Sequence, residues 1–338
     1  MTPKQRYDAL LAGRQPDILP RLPILMQFAA EYIGSNYAAF AQDHRVLVEA
    51  NLACARDFGI DQVSCISDPW REASAFGAEI EFPTNDSPRC RVHVLEHDRD
   101  LGRLPHPDVR RSPRTRDRIE AVKLYRARSG DHYSVLGWVE GPIAAAADLR
   151  GVSAFLLDLV DDPEWAEQLM DRVTEVAIEF AVAQIEAGAD TVGIGDALAS
   201  QISPKLYQRF VLPREKRIVD AIHAAGARAK LHICGNITKL LPHIATLGVD
   251  VLDVDAMVDI AKARQAVGPK VVLMGGIDPV AVIKDGTPQA IRAELARCCA
   301  AALPAYAPGG GCEIPAATPK DNLKALCAEL PPPAGSGG

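Results

Sequence analysis

Short apolar runs rich in β-branched residues alternate along this chain with longer stretches of helical periodicity, and this alternation limits the possible folds most strongly. In the second half, the predicted strands begin at residues 191, 229, 251 and 271, which leaves room for one helix between successive strands. Repeated strand–helix units form parallel sheets. Because their crossovers are right-handed, a long series of them closes into a barrel. We therefore predict an α/β fold, a single (β/α)8 TIM barrel.

The predicted strands cover residues 22–28, 62–66, 133–139, 191–194, 229–233, 251–254 and 271–274. A doubly wound open sheet is the alternative, but no glycine-rich turn of the dinucleotide-binding type follows the first strand. No linker or internal repeat divides the chain, so we expect one domain over residues 1–330. The proline- and glycine-rich tail, residues 331–338, is expected to be disordered.

Composition narrows the class of protein. The 338 residues carry a net charge of −7 with both signs mixed throughout, which argues against nucleic acid as a partner. No apolar stretch reaches the roughly 20 residues that span a bilayer, and the N-terminus lacks the apolar segment of a secretory signal. We therefore expect a cytoplasmic protein with no membrane partner. Its eight cysteines are too few for a disulfide framework, so they are expected to be thiols.

Polar residues cluster where four consecutive predicted strands end, at residues 195–196, 232–236, 253–255 and 275–279. Barrel enzymes place their chemistry at the carboxyl ends of their strands. Gly, Asp and Asn also favour turns, so turn chemistry explains part of this pattern. Four successive clusters nevertheless predict one shared active-site face.

Two potential metal ligands, His232 and Cys234, are separated by one residue, and on a strand that spacing directs both side chains to the same face. Imidazole and thiolate are ligands that zinc prefers, but a site needs a third. Cys312 is a candidate because it follows three glycines, which allow close backbone approach, in a loop expected at the same end of the barrel. Three protein ligands with an open fourth position are typical of catalytic zinc. Taken singly, His232 is also explained as a hydrogen-bonded core residue, and Cys234 as a buried thiol.

Recognisable motifs are spread over nearly the whole chain, at residues 14–17, 67–73, 137–142, 202–204, 232–236, 276–279 and 311–315. Together they resemble the uroporphyrinogen decarboxylase superfamily, and within it the methylcobamide:coenzyme M methyltransferase-like branch of corrinoid-dependent methyltransferases. The resemblance implies a TIM barrel of the uroporphyrinogen decarboxylase type. It also implies a zinc ion held by a His-x-Cys…Cys motif, which His232, Cys234 and Cys312 match.

The activity of this branch is the transfer of a methyl group from a methylated corrinoid protein to a thiol such as coenzyme M. The resemblance therefore implies a zinc-dependent methyltransferase acting between a corrinoid protein and a thiol or tetrahydrofolate acceptor. The chain has no Asp-x-His-x-x-Gly cobalamin motif, so the methylcobamide is expected on a separate, transiently bound protein. One alternative is a first-step methyltransferase, which demethylates a small methylated substrate onto the corrinoid protein. A non-catalytic metal-binding barrel is another.

Uroporphyrinogen decarboxylation itself is disfavoured. True decarboxylases of the superfamily grip the carboxylates of the porphyrinogen with an arginine-rich N-terminal motif. The corresponding stretch here, residues 24–31, contains no arginine. A substrate with many carboxylates needs guanidinium groups, and this strand end offers none.

The fourth metal position and the cofactor contacts are assigned to residues near the expected zinc. Asp255, and in second place Asp253 or Glu313, is expected to fill the fourth position at rest. Gly276 is grouped with Asp255 as cofactor-binding.

Three further residues are the catalytic candidates. Asp278 and Asn236 are expected to contact the substrate or the metal ligands. Asp196 is expected to contact the substrate or to support the rim of the site. Its position also fits a plain helix N-cap.

Overall fold

A computed structural model describes residues 1–331 of the chain, so the predicted tail lies outside the described residues except for Pro331. At its centre is a parallel sheet of seven strands in the order β1-β4-β5-β6-β7-β8-β9. These strands are Gln62–Ser64 (β1), Ser134–Glu140 (β4), Thr191–Gly195 (β5), Arg228–Ile233 (β6), Val251–Val254 (β7), Val272–Gly275 (β8) and Tyr306–Ala307 (β9). An antiparallel hairpin outside this sheet consists of Glu79–Glu81 (β2) and Arg89–Val92 (β3).

An extended segment, residues 21–25, closes the sheet between β9 and β1. The Asp61 N–H just before β1 donates a hydrogen bond to the Arg21 carbonyl (2.9 Å), and the Leu22 N–H donates to the Pro308 carbonyl just after β9 (2.8 Å). Seven paired strands and this closing segment form the wall of a TIM barrel. The predicted fold class is therefore confirmed.

The strands predicted from residue 62 onward are confirmed with shifted ends. The prediction over residues 22–28 is wrong as a regular strand, because the closing segment makes only separate hydrogen bonds to its neighbours and a helix begins at Gln27. The two-residue β9 was not predicted, since so short a run carries no periodicity.

Helices fill the connections between the strands, and several begin at a residue whose side chain caps the first turn. They are Pro3–Leu11 (α1), Gln27–Tyr32 (α2), Tyr37–Gln42 (α3), His44–Phe58 (α4), Arg71–Ala75 (α5), Pro113–Ser129 (α6), Pro142–Arg150 (α7), Val152–Asp161 (α8), Pro163–Ala187 (α9), Pro204–Leu206 (α10), Leu212–Ala224 (α11), Leu241–Ile244 (α12), Ile260–Val267 (α13), Pro288–Ala301 (α14) and Lys320–Leu326 (α15). The Asp162 side chain accepts a hydrogen bond from the Trp165 N–H, and Thr287 accepts one from the Ala290 N–H. None of the helices within residues 1–331 is long and apolar enough to cross a membrane.

Glycines of β5 make room inside the barrel for Trp138 of β4. A Cβ atom at Gly193 would lie 2.3 Å from Trp138 Cε3, and one at Gly195 would lie 2.9 Å from its Nε1. The strand register places Gly195 between Glu140 on one side and His232 on the other. Since neighbouring strands are about 4.8 Å apart, the Cα atoms of Glu140 and His232 lie roughly 10 Å apart, across a residue with no side chain.

Candidate active site

Three predicted metal ligands converge at the carboxyl end of the barrel. His232 is in β6, Cys234 follows that strand, and Cys312 lies in the loop after β9. One ligand atom from each lies within 4.8 Å of the others. His232 Nε2 is 3.1 Å from Cys234 Sγ, which is 3.9 Å from Cys312 Sγ. Two zinc–sulfur bonds of about 2.3 Å at a tetrahedral angle separate their sulfurs by roughly 3.8 Å, so the donor set fits zinc. We call these three residues the sulfur side.

The glycine run before Cys312 positions this thiol through close backbone contacts. A Cβ atom at Gly311 would lie 2.6 Å from a backbone nitrogen in the turn after β7. The Gly311 N–H donates to the Ile277 carbonyl (2.8 Å), and the Ile314 N–H donates to the Ile24 carbonyl (2.9 Å). The loop is thus anchored both to the turn after β8 and to the closing segment. A side chain at Gly311 would displace it.

A buried carboxylate, Asp253, lies behind His232. Its Oδ2 atom is 3.6 Å from His232 Nδ1 and 2.9 Å from Lys230 Nζ. Burial lowers the pKa of His232, but the charges of Asp253 and Cys312 outweigh burial and raise this pKa to about 10. Burial raises the pKa of Asp253, whereas Lys230 and His232 lower it below its usual value. A carboxylate in this position orients a ligand histidine.

The two thiols of the sulfur side share one negative charge. A hydrogen bond from Cys234, opposed by burial and aided by His232, lowers the pKa of the Cys312 thiol to about 5. The same contact, together with burial, raises the pKa of Cys234. The pair therefore holds a thiolate at neutral pH, and thiolate is the form that binds metals.

The loop that carries Cys234 is supported by two predicted site residues. The Asp255 carboxylate accepts hydrogen bonds from the N–H groups of Gly235 (2.8 Å) and Met257 (2.9 Å). Because both of its oxygens have backbone partners, Asp255 would have to release one to become a metal ligand. The exposed Asn236 accepts a hydrogen bond from the backbone N–H two residues later (3.0 Å).

The turn after β8 contains Gly276 and Asp278. The Asp278 carboxylate caps the π-helix Pro279–Lys284 by accepting hydrogen bonds from two of its N–H groups, each at 2.8 Å. Gly276 adopts a φ of +77° and donates its N–H to the Val254 carbonyl (2.8 Å). In the structure, both residues make hydrogen bonds that stabilise the backbone of this turn. The catalytic role of Asp278 and the cofactor-binding role of Gly276 remain predictions.

A cavity of about 170 Å³ opens at this end of the barrel and reaches the sulfur side. Its volume is below the roughly 300–1,000 Å³ typical of pockets for drug-sized ligands, so it suits a smaller molecule. Its polar lining comprises His232, Cys234, Cys312, Asp68, Glu140 and Glu313, and Trp138 is among its apolar lining. A larger cavity of about 400 Å³ lies between α1 and the amino ends of β8 and β9, away from the metal ligands.

Glu313, a predicted reserve ligand, is placed in this cavity directly after Cys312. Its Oε1 atom accepts a hydrogen bond from the Gln27 N–H at the start of α2 (3.2 Å). Burial raises its pKa to about 7. The structure therefore places Glu313 at the site, and its role as a fourth metal ligand remains a prediction.

A second cluster of charged residues at the barrel mouth was not predicted from the sequence. Its members come from the segment after β1, the start of α6 and the last residue of β4. Arg71 is fully buried. Its Nη2 atom donates to Glu140 Oε1 (2.6 Å), and its Nε atom is 3.7 Å from Glu72 Oε2. The Arg114 Nη2 atom donates to Asp68 Oδ2 (2.5 Å). We call these five residues the acid side.

Glu140 lines the cavity, as Asp68 does. It is also aligned through Gly195 with the predicted metal ligand His232 on the neighbouring strands. Burial raises the pKa of Glu140 to about 8, although the charge of Arg71 opposes this and that of Glu72 adds to it. Burial likewise raises the pKa of Glu72. A glutamate that ends an otherwise apolar strand was the signal in the sequence that could have identified it.

Asp196 is fully buried beside the acid side, and its side chain does not cap the helical turn that follows it, so its predicted role at the substrate or the rim stays a prediction. Its Oδ1 atom accepts a hydrogen bond from the Ala144 N–H, at the start of the neighbouring α7 (2.8 Å). Tyr207 donates to the carboxylate of Glu215. Burial and the charge of Glu215 raise the pKa of Asp196, and burial raises the pKa of Glu215 to about 7. Asp196 and Glu215 therefore form a carboxyl pair that retains a proton at neutral pH.

Comparison with known proteins gives consistent relatives. The profile of the uroporphyrinogen decarboxylase (URO-D) family matches residues 2–330. The chain is 29% identical to a methylcobamide:CoM methyltransferase of Methanosarcina barkeri, with 97% of each chain covered. It is 30% identical to a second methylcobamide:CoM methyltransferase, of Methanosarcina mazei, with 97% of this chain and 98% of that one covered.

The fold has a relative of known structure as well. A methyltransferase from Methanosarcina mazei superposes with a TM-score of 0.89 at 26% identity, covering 96% of this chain and 97% of that one. Sequence and structure thus agree over nearly the whole length of the chain. The chain belongs to the uroporphyrinogen decarboxylase family, within the branch that resembles the methylcobamide:CoM methyltransferases.

Proposed function

We propose that this enzyme is a zinc-dependent methyltransferase that moves a methyl group between a corrinoid protein and a thiol. The sulfur side carries the proposal, because His232, Cys234 and Cys312 bring their ligand atoms within 4.8 Å of one another beside a small cavity. The names of the relatives, methylcobamide:CoM methyltransferases, support the corrinoid and the thiol as reaction partners.

The residues of the chain prepare the site for this reaction. His232, Cys234 and Cys312 would hold the zinc ion, and Asp253 orients His232 from behind. A bound zinc ion would stabilise the substrate sulfur as a thiolate at neutral pH, the form that attacks a methyl group. Because the pKa of Cys312 is about 5, its thiol is already deprotonated at neutral pH and could bind the metal as a thiolate. Trp138 and other apolar residues line much of the cavity, and such a lining would strengthen electrostatic interactions there.

The corrinoid is proposed to arrive on a separate protein. A cavity of about 170 Å³ holds a small thiol but not a corrinoid ring. The ring would therefore stay at the open end of the barrel, outside the cavity. This arrangement implies a transient complex in which the partner protein covers the barrel mouth.

Uroporphyrinogen decarboxylation fits this cavity poorly. Within residues 1–331, no arginine or lysine side chain lines it, although carboxylates of a porphyrinogen would need such groups. The volume is also too small for a tetrapyrrole. A first-step methyltransferase would use the same metal ligands but would move the methyl group from a small substrate to the corrinoid. The methyl-transfer assay described below distinguishes the two directions.

Metal content is the first test of the proposal. Zinc per chain is measured in the wild type, in Cys312→Ala and in the matched control Cys90→Ala, which removes another partly buried free thiol outside the sulfur side. We expect about one zinc per chain in the wild type and the control, and at least about tenfold weaker zinc binding in Cys312→Ala. Wild-type protein that binds no zinc after reconstitution under reducing conditions would contradict the proposal.

Methyl transfer is the second test. Premethylated corrinoid is incubated with a thiol and each of the three proteins, and demethylation is followed by absorbance. We expect transfer with the wild type and Cys90→Ala, and a loss of at least about 100-fold with Cys312→Ala, since the metal would be lost with its ligand. Starting from a methylated thiol and demethylated corrinoid tests the first-step alternative. Equal rates with and without Cys312 would refute the metal mechanism.

A further inference from the structure

The cavity beside the sulfur side is lined by carboxyl groups and by no basic side chain. Asp68, Glu140 and Glu313 line it, and no lysine or arginine does so within the part of the chain that the structure describes. An anionic ligand would therefore meet carboxyl groups and no basic side chain. The charge of this lining bears directly on which thiol the enzyme accepts.

The nearby cations are already paired with carboxylates. Arg114 is bound by Asp68 (2.5 Å), and Lys230, buried below the cavity, is bound by Asp253 (2.9 Å). Arg71 is bound by Glu140 (2.6 Å) and also faces Glu72. None of these cations is left to bind the headgroup of a substrate.

Glu140 retains acceptor capacity on the cavity side. It is 7% exposed, and the hydrogen bond from Arg71 engages only its Oε1 atom. Its Oε2 atom accepts no hydrogen bond from a residue in the described range. Because one guanidinium is shared by Glu72 and Glu140, it balances only one of the two carboxylates. Burial raises the pKa of Glu140 to about 8, so a cation placed beside it would favour its ionised form.

The position of Glu140 suits a short substrate. Glu140 and the metal ligand His232 are both register partners of Gly195, one on each side. Their Cα atoms lie roughly 10 Å apart, so their side chains face the same small space. A molecule with its sulfur at the metal ligands can place a headgroup two or three bonds away beside Glu140.

We propose that the sulfur substrate of this enzyme is a small compound with a positively charged, hydrogen-bond-donating headgroup, which Glu140 binds. The inference rests on the proposed function and adds the class of substrate. A cationic headgroup would donate a charge-assisted hydrogen bond to the Glu140 carboxylate and favour its ionised form. The sulfonate of coenzyme M would instead be desolvated against carboxyl groups without a partner. This chain therefore differs in substrate from the relatives named for coenzyme M.

Three thiols with the same two-carbon skeleton test the proposal. They are 2-aminoethanethiol, 2-mercaptoethanol and 2-mercaptoethanesulfonate, whose headgroups are positive, neutral and negative. Each is titrated into the zinc-loaded wild type by calorimetry, which reports binding without turnover. We expect the aminothiol to bind at least about tenfold more tightly than the sulfonate, the scale of one charge-assisted hydrogen bond, with the neutral thiol between them.

The variant Glu140→Gln assigns this preference to one residue. We expect the ratio between the aminothiol and the sulfonate to fall below about threefold, with little change for the neutral thiol. Glu120→Gln, which alters an exposed carboxyl on α6 that pairs with Lys123, is the matched control and should keep the full ratio. If Glu140→Gln does not fold, the order of the three thiols on the wild type decides alone.

The outcomes separate this inference from the proposed function. Sulfonate binding equal to or tighter than aminothiol binding, on protein with full zinc content, overturns the inference and leaves the methyltransferase proposal standing. Failure of all three thiols to bind the zinc-loaded protein contradicts thiol binding at the metal, and the inference fails with it. A preference for the aminothiol that survives in Glu140→Gln overturns the assignment to Glu140.

Discussion

The sulfur side and the acid side lie at the same end of one barrel, but they balance their charges differently. On the acid side, Arg71 and Arg114 come from the chain itself and hold three carboxyl groups in place. On the sulfur side, Cys234 and Cys312 face each other at 3.9 Å with one thiolate between them, which suits a cation from outside the chain. One side is completed by folding, and the other is proposed to be completed by a metal ion.

This difference predicts which measurement responds to a change on each side. A substitution on the acid side should reduce the free energy of unfolding and leave metal binding intact. A substitution on the sulfur side should weaken metal binding with little effect on folding. Both sides share the cavity and the row of strand positions that contains Gly195, so the comparison is made within one structural layer.

The largest effect on stability is expected for Arg71→Met. This change removes a fully buried guanidinium and leaves Glu72 and Glu140 without their cation. Breaking a buried ion pair in this way costs roughly 3–5 kcal/mol, which denaturant unfolding can measure. Zinc content of the folded fraction should stay that of the wild type. Arg56→Met, which breaks an exposed pair with Asp57, is the control and should change stability little. Loss of zinc at unchanged stability would reverse the roles assigned to the two sides.

A smaller effect is expected for Asp253→Asn, behind the sulfur side. In the proposed metal site, the Asp253 carboxylate lies 3.6 Å from His232 Nδ1 and would orient this ligand, so its loss should weaken zinc affinity by about 10- to 100-fold. Competition with a chromophoric zinc chelator measures this affinity. Asp250→Asn, just before the same strand and at its opposite end, is the matched control and should keep wild-type affinity. Equal zinc affinity in both variants would remove Asp253 from the metal site.

The smallest effect is expected from the carboxyl pair of Asp196 and Glu215. The pKa of Glu215 is about 7 in the folded protein and about 4.5 in a free side chain, so the folded state binds more protons between these values. Stability should therefore fall as pH rises from about 4.5 to about 7. Glu215→Gln should flatten this slope, with a change on the order of 1 kcal/mol between pH 5 and pH 7.

Thermal and denaturant unfolding at several pH values measures this slope. Glu120→Gln, on the surface of α6, is again the matched control, and its slope should equal that of the wild type. A Glu215→Gln slope as steep as that of the wild type would show that the carboxyl pair holds no extra proton.

The sequence predicted the barrel and the convergence of the sulfur side because both have local signals. The strand runs carry periodicity, and His232 and Cys234 lie one residue apart on a single strand. The acid side has no such signal. Arg71 and Glu140 are 69 residues apart, and residues of these types are usually exposed, so nothing in the sequence indicates that they are buried together.

Strand ends also show why residue type alone did not assign roles. Asp255, Asp278 and Asp196 all follow barrel strands, and all three accept hydrogen bonds from backbone N–H groups. Aspartate at such a position serves a turn, a helix terminus or an active site equally well. The three roles can be distinguished only from the hydrogen-bond partners that each carboxylate has in the folded chain.

The distance along the chain between the two thiols has a consequence for biosynthesis. Cys312 follows Cys234 by 78 residues, and its loop docks through Ile314 onto Ile24, near the other end of the chain. A growing polypeptide therefore leaves the ribosome tunnel with His232 and Cys234 long before their third companion is translated. The proposed three-ligand metal site would therefore form only after translation has passed Cys312 and its loop has docked onto Ile24. Chains that terminate before Cys312 would lack the third proposed ligand.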